Sequence, residues 1–323
     1  MTDRGTVRRG GLDLGGTKIQ AVIVDEAHAV QGAARHPTPT SGGPCDVAAA
    51  MAEVLQEAAS VAGLEPAELE AVGVGSPGAV DADTGTVTGA GNLPGWSGSY
   101  PLGPELEDRL AVPVVLGNDV QVATAAEFVL GVGRPYQSLI GVFCGTGVGG
   151  GIYLDGSPWL GRGSAGEVGH MVVQQDGAPC TCGRYGCLEA YAGRGAMELE
   201  ARRLVQEGER TELFDVMAKK GRTRLSSGVF ARALARNDPM ARYLIDRAVR
   251  ALGAGIASVV NLLDLEAVII GGGLGLRLGE PFVEAVREAT LPHLFVPSRP
   301  PALHLAALGD LGGAIGATLA AAS

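Results

Sequence analysis

The sequence predicts a two-lobed α/β protein with duplicated mixed-sheet lobes and a small zinc-binding loop. Strand-like residues flank a glycine turn twice, at Gly15-Gly16 and again at Gly145-Thr146-Gly147, about one lobe apart. That recurrence reads as an internal duplication, with a period far longer than a solenoid repeat. Three of the five cysteines fall within the eight residues 180–187. Three thiols cannot close a disulfide set among themselves, but three thiolates and an imidazole complete a tetrahedral zinc shell. Cys180, Cys182 and Cys187 are the candidate thiolate ligands, and His170 is the nearest candidate for the fourth.

The first hairpin covers residues 11–25, two strand-like runs about the Gly15-Gly16 turn. A helix is expected over 46–62, where Val47, Met51, Val54, Leu55, Ala58 and Val61 keep helical spacing. A strand follows at 71–75, a turn at Ser76-Pro77-Gly78, a strand at 112–116 and a helix at 120–130. The second hairpin has strands at 138–144 and 149–154. Residues 240–263 read as a helix and 267–270 as a strand ending in Gly271-Gly272-Gly273. The chain finishes on a helix at 312–322, whose glycines and alanines permit close packing. Pro37, Pro39 and Pro44 mark a loop. The expected division is 1–118 plus 308–323 in a small lobe and 119–307 in a large lobe carrying the zinc site.

At 323 residues and 46% hydrophobic, the chain is long and apolar enough for a core in each lobe. The formal net charge of −10, from 25 basic and 35 acidic residues, argues against a nucleic-acid groove. The opening residues lack the apolar stretch of a signal peptide, and no apolar run reaches membrane-spanning length. The expectation is a soluble cytoplasmic protein with no membrane partner. Cys45 and Cys144, far apart in sequence, are each expected to be a small buried hydrophobe.

Glycine loops let backbone N–H groups approach phosphate oxygens. Three occur here: Gly15-Gly16-Thr17, Gly145-Thr146-Gly147 and Gly271-Gly272-Gly273. Each taken alone is also an ordinary tight turn. None fits the Gly-x4-Gly-Lys-Ser/Thr phosphate loop. Gly145-Thr-Gly-Val-Gly-Gly-Gly151 has the look of a dinucleotide fingerprint, but strand residues Ile152, Tyr153 and Leu154 follow where that fingerprint needs a helix, which excludes a nicotinamide enzyme. A carboxylate beside a phosphate loop repels phosphates unless a divalent cation intervenes, so Asp13 is an outer-shell magnesium candidate. Lys18 is either positive charge near the phosphates or a solvated strand residue.

The set Asp13-Leu-Gly-Gly-Thr-Lys18, Asn118-Asp119, Gly145 to Gly151, Gly166-Glu-Val-Gly-His170 and Cys180-x-Cys182-x4-Cys187-Leu-Glu189 resembles the ROK family of sugar kinases and repressors, in order and over nearly the whole chain. Within it the chain looks most like the ATP-dependent bacterial glucokinases. The resemblance implies the two-lobed actin-like ATPase fold, ATP, Mg2+ and structural Zn2+ as cofactors, a hexose substrate, and a homodimer or homotetramer. It implies that Asp119 is the base taking the proton of the sugar 6-hydroxyl, a role consistent with phosphoryl transfer. Asn92, Asn118, Glu167, His170 and Glu189 would hydrogen-bond the sugar, His170 with one ring nitrogen on zinc and the other on the sugar. Asp13, Gly15, Gly16, Thr17 and Lys18, with Gly145, Thr146 and Gly147, would hold phosphates and magnesium, and Gly271, Gly272 and Gly273 would approach the adenosine. Two departures flank the base: Gly117 stands where the family usually has an acid, and Val120 and Val122 replace smaller residues.

Plain alternatives stand beside these roles. Asp119 could be a helix N-cap, Glu167 and Glu189 surface acids, and Asn92-Leu-Pro-Gly-Trp96 a turn with a packed tryptophan. The expected activity is ATP-dependent phosphorylation of glucose, the alternatives being N-acetylglucosamine, N-acetylmannosamine, mannose or fructose. A sugar-responsive regulator would need a DNA-binding module ahead of the hairpin at Gly11, and none is expected.

Overall fold

The computed structural model describes residues 7–90 and 93–322. The chain divides into two compact units, the first comprising Met1–Arg134, Leu160–Ala165 and Ala307–Ser323, the second Pro135–Trp159 and Gly166–Ala306.

The first unit is built on β1 (Arg9–Leu14), β2 (Lys18–Val24), β3 (Val30–Pro37), β4 (Val72–Ser76) and β8 (Val114–Asn118), in the order β3-β2-β1-β4-β8. β1, β2 and β3 are an antiparallel meander, and β4 and β8 run parallel to β1. β5 (Ala79–Asp81), β6 (Thr86–Thr88) and β7 (Ser99–Tyr100) form a separate antiparallel sheet. α1 (Pro44–Val61) covers the large sheet with Val47, Met51, Val54, Leu55 and Ala58, all buried at helical spacing. The helix starts two residues before the expected position, because Pro44 takes the first helical turn, where its missing N–H costs nothing. β3 was not anticipated from the sequence, only Pro37 at its end having been expected in a loop. It is an edge strand of alternating exposure whose inward residues are only Gly32 and Ala34, so it carries little apolar signal, and Pro37 closes it.

α2 (Leu102–Leu110) and α3 (Asp119–Val129) complete this unit with the helix Gly312–Ala320. That last helix lies directly on the sheet and on α3. A Cβ at Gly73 would stand 1.7 Å from Ala317 O, and one at Gly316 would stand 1.9 Å from Val122 O. Such closeness is open only to glycine. It ties α3 to this unit, so the unit runs past Asn118, where the sequence placed the lobe boundary.

The second unit repeats the plan. β9 (Leu139–Cys144), β10 (Val148–Leu154), β11 (Ser157–Pro158), β12 (Ala267–Gly271) and β13 (Ala302–Leu305) lie in the order β11-β10-β9-β12-β13. The hairpin is again antiparallel, and β12 and β13 again run parallel to its first strand. Into this plan the chain inserts α4 (Glu189–Ala192), α5 (Arg194–Gln206), α6 (Leu213–Lys219), α7 (Ser227–Ala235) and α8 (Pro239–Leu263), followed after β12 by α9 (Gly272–Leu278) and α10 (Glu280–Thr290). α8 is capped by Asp238, whose Oδ1 accepts from Ala241 N at 2.7 Å, a bond worth about 1 kcal/mol. Its Met240, Leu244, Ala248, Leu252 and Ile256 enter the unit's own core, separate from the core under α1. Among the described residues no helix is long and apolar enough to cross a membrane.

Candidate active site and metal-ligand cluster

In the first unit, β1 and β2 are joined by the turn at residues 15–17, closed by Gly15 N donating to Lys18 O at 2.9 Å. Asp13 sits one residue from the end of β1. Burial raises its carboxyl from 3.8 to about 6; Lys18 partly offsets this and Asp310 adds to it. The Lys18 ammonium is not solvated at large: it pairs with Asp310 Oδ1 at 2.9 Å and donates to Gln20 Oε1. Thr17 is exposed at the tip.

Strand pairing carries the same level across the sheet, with Asp13 opposite Gly75 and Gly75 opposite Gly117. β8 then delivers Asn118 and Asp119. The helix cap is Asn118, whose Oδ1 accepts from Val120 N at 3.1 Å and Gln121 N at 3.3 Å. Asp119 is therefore not the cap. It is the first residue of α3, half-buried, with Oδ1 accepting from Val120 N at 2.9 Å. Capping commits the Asn118 oxygen and leaves its Nδ2 amide able to donate to a ligand. Asn92 lies outside the described residues. Trp96, four residues on, is core: 2% exposed, edge-on to Tyr100 at 5.5 Å between centroids.

In the second unit the sulfur and nitrogen donors of His170, Cys180, Cys182 and Cys187 all lie within 4.8 Å of one another. His170 Nδ1 is 4.0 Å from Cys180 Sγ, and Cys182 Sγ is 3.7 Å from Cys187 Sγ. Zinc–sulfur bonds of about 2.3 Å in a tetrahedron place donors about 3.8 Å apart, so the set fits zinc in both geometry and donor type. With Nδ1 facing the cluster, His170 Nε2 is the nitrogen left for another partner. Arg184 donates to Cys182 Sγ at 3.5 Å and holds that thiol down at about 6. Burial pushes Cys187 up to about 12, a cost that coordination to a dication reverses. Cys144 is buried and pushed up to about 12 by the same loss of solvation, as expected of an inert core thiol. Cys45 differs from expectation: it is exposed in the first turn of α1, with Arg109 Nη2 3.4 Å from its sulfur.

Glu189 opens α4 two residues after Cys187. Its Oε2 accepts from Val148 N at 2.9 Å, and its Oε1 accepts from Thr181 Oγ1 at 3.2 Å. One carboxylate thus joins the cysteine loop to the end of the second glycine turn. The fit at residue 147 is tight, since a Cβ there would stand 2.1 Å from Glu189 Oε2. Glu167 is exposed, immediately ahead of the short helical turn Val168–His170. Gly271-Gly272-Gly273 is not a bare turn: Gly271 caps α9 and the other two begin it. Gly272 has φ of +75° and lies against Cys144, where a Cβ on the glycine would stand 2.6 Å from the cysteine's carbonyl oxygen, so the third loop abuts the start of the second. The sequence reading passed over Arg194, which grips the turn at residues 145–147 from the start of α5; its only signal was its place five residues after Glu189.

The sequence model of a family described as "ROK family" matches residues 9–323. A protein named glucokinase from Halalkalibacterium halodurans is 32% identical over 98% of this chain and 94% of its own. A Shewanella protein named N-acetylgalactosamine kinase is 35% identical over 96% and 95%. Among solved structures, a ROK family glucokinase from Streptomyces griseus in complex with glucose and AMPPNP superposes with a TM-score of 0.83 at 31% identity, covering 98% of this chain and 100% of that one.

Proposed function

The chain belongs to the ROK family, and from that membership we propose that it is an ATP-dependent sugar phosphotransferase moving the γ-phosphoryl group to the 6-hydroxyl of a hexose, with glucose the preferred acceptor. The observation that carries the reading is the repeated hairpin. Both sheets end a β-hairpin in a glycine turn, one beside a buried carboxylate and the other gripped by Glu189 and Arg194. This is equipment for a charged polyphosphate and its cation, placed twice.

In this reading Asp119 accepts the proton of the 6-hydroxyl as its oxygen attacks phosphorus, from its place at the first residue of α3. Asn118 through Nδ2, Glu167, His170 through Nε2–H, Glu189 and Asn92 bind sugar hydroxyls. Asp13 holds Mg2+ through water, while Gly15, Gly16, Thr17 and Lys18 with Gly145, Thr146 and Gly147 bind phosphates, and Gly271, Gly272 and Gly273 adjoin the adenosine. Cys180, Cys182, Cys187 and His170 would hold Zn2+, whose part would be positional, fixing the ring of His170 and the path of the chain into Glu189. Glucose is favoured over an N-acetylated hexose by the relative named glucokinase and by the structure solved with glucose. The acetylated sugars stay the second reading because of the Shewanella relative.

The test is ADP release from MgATP with glucose, mannose, fructose, N-acetylglucosamine, N-acetylmannosamine and N-acetylgalactosamine. Turnover highest on glucose is expected. Turnover confined to an acetylated sugar overturns the substrate, and none on any sugar from folded, zinc-loaded protein overturns the kinase reading.

A further inference from the structure

We propose that Arg194 is a positioning residue that shapes the turn at residues 145–147 for the phosphates of the nucleotide and, with Arg224, supplies the positive charge they require. The inference rests on the kinase reading above. Arg194 binds the turn with both backbone and side chain: its N is 3.3 Å and its Nε 3.0 Å from Gly145 O, and its Nη2 is 3.3 Å from Thr146 Oγ1. Nη1 reaches Leu225 O at 3.4 Å. The other carbonyls of the turn are also engaged, Thr146 O by Gly195 N at 3.0 Å and Gly147 O by Gly145 N at 2.8 Å. The oxygens that would repel an anion are thereby taken up by the protein. Among the described residues the amides of Thr146 and Gly147 have no acceptor, which leaves them to face one.

Charge points the same way. Among the described residues Arg194 has no ion pair; its partners are carbonyl and hydroxyl oxygens. It is substantially withdrawn from water, and the nearby Arg224 guanidinium opposes its charge further. The one acid acting on it, Glu198, is already held by Arg202 at 2.6 Å and by Leu225 N at 2.8 Å. Two neighbouring guanidiniums, one desolvated and neither ion-paired with a carboxylate among the described residues, form an arrangement that an anion stabilises. The phosphate oxygens of ATP or ADP are anions of that kind beside a glycine turn.

Calorimetric titration of wild type, Arg194→Gln and Arg224→Gln with ADP and with adenosine tests this, with zinc content and melting temperature confirming fold. Arg194→Gln is expected to weaken ADP at least about tenfold while adenosine changes little, and to raise the KM for ATP with the KM for sugar unmoved. Arg224→Gln alters an exposed side chain. It should weaken ADP by about threefold and flatten the salt dependence of ADP binding. Unchanged ADP affinity in Arg194→Gln overturns the proposal. So does an equal loss of ADP and adenosine, which would make Arg194 a structural brace only. A wild-type protein that binds neither ligand sinks the kinase reading itself and the inference with it.

Discussion

The two sheets share a strand order and differ in what they place at the end of it. In the first unit the row Asp13, Gly75, Gly117 crosses three paired strands and leads straight into Asn118 and Asp119. Asp13 and Asn118 belong to the sheet itself, and Asp119 follows it directly as the first residue of α3. In the second unit the corresponding level pairs Phe143 with Gly271, and Ala306 lies within 3.3 Å of where a Gly271 Cβ would stand. That row is apolar. Its polar groups are brought in by the insertion between β11 and β12, through Glu189 on Val148 N and Arg194 on Gly145 O. A duplicated scaffold has thus been equipped in two ways, from its own strands on one side and from inserted loops on the other. The first way is rigid by construction. The second is only as rigid as the insertion, whose candidate metal-ligand cluster ends two residues before Glu189.

Removing the group delivered at the end of the first sheet should cost most. Asp119→Asn keeps size and helix position but cannot accept a proton, so kcat should fall about 10²- to 10⁴-fold with sugar affinity preserved; steady-state kinetics and sugar binding check it, and substantial residual turnover would remove Asp119 from the base role. The imported side should fail through its support. Cys187→Ser should lose the metal and, by freeing Glu189, raise the sugar KM about 10- to 100-fold, with elemental analysis and kinetics reporting together. Full zinc content in that variant would refute the ligand set. Asp13 distinguishes the hairpins by pH. Its carboxyl titrates at about 6 because it is buried, so protons compete with magnesium as pH falls through that value. The KM for MgATP should rise below about pH 6, and Asp13→Asn should abolish that dependence. The stability sign is opposite: a carboxyl raised from 3.8 to about 6 stabilises the native state below 3.8 and loses this as pH rises through about 6. Asp13→Asn should therefore raise Tm at pH 7.5 in magnesium-free buffer by a few degrees, while weakening nucleotide binding.

Much of this contrast was legible from residues. Both hairpins, α1, α3, α8 and the cysteine cluster carry periodicity or spacing strong enough to read without coordinates. β3 and β13 were missed: β3 turns only Gly32 and Ala34 inward, and β13 is four residues long between loops. The helices α5 to α7 lack a dominant apolar run and gave no signal of their own. The cap at Asn118 was not singled out, Asp119 beside it being named only as an alternative cap, because only the backbone angles decide which of two adjacent polar residues stands outside the helix. Arg194 was passed over because its partners are the carbonyls of a turn 49 positions away, and a carbonyl contact leaves no mark in sequence.

The smallest effect concerns the departures beside the proposed base, and it asks how much of the first sheet's rigidity is local. A Cβ placed at Gly117 would stand 2.8 Å from Val122 Cγ1, and one at Gly75 would stand 2.8 Å from Val122 Cγ2. The valine and the glycine are therefore one adjustment: the space left by the missing side chain at 117 is filled by the larger residue at 122. Gly117→Ala alone should destabilise by about 1 to 2 kcal/mol through overpacking, and Val122→Ala alone by about 1 kcal/mol through lost burial. Combined, the new methyl at 117 enters the volume vacated at 122, so the double variant should be more stable than the sum by at least about 0.5 kcal/mol. Chemical denaturation of the four proteins measures the coupling. Strict additivity would mean that Val122 does not set the space beside Gly117. In that case the position could take a larger residue without disturbing Asn118 and Asp119, the two residues that follow it.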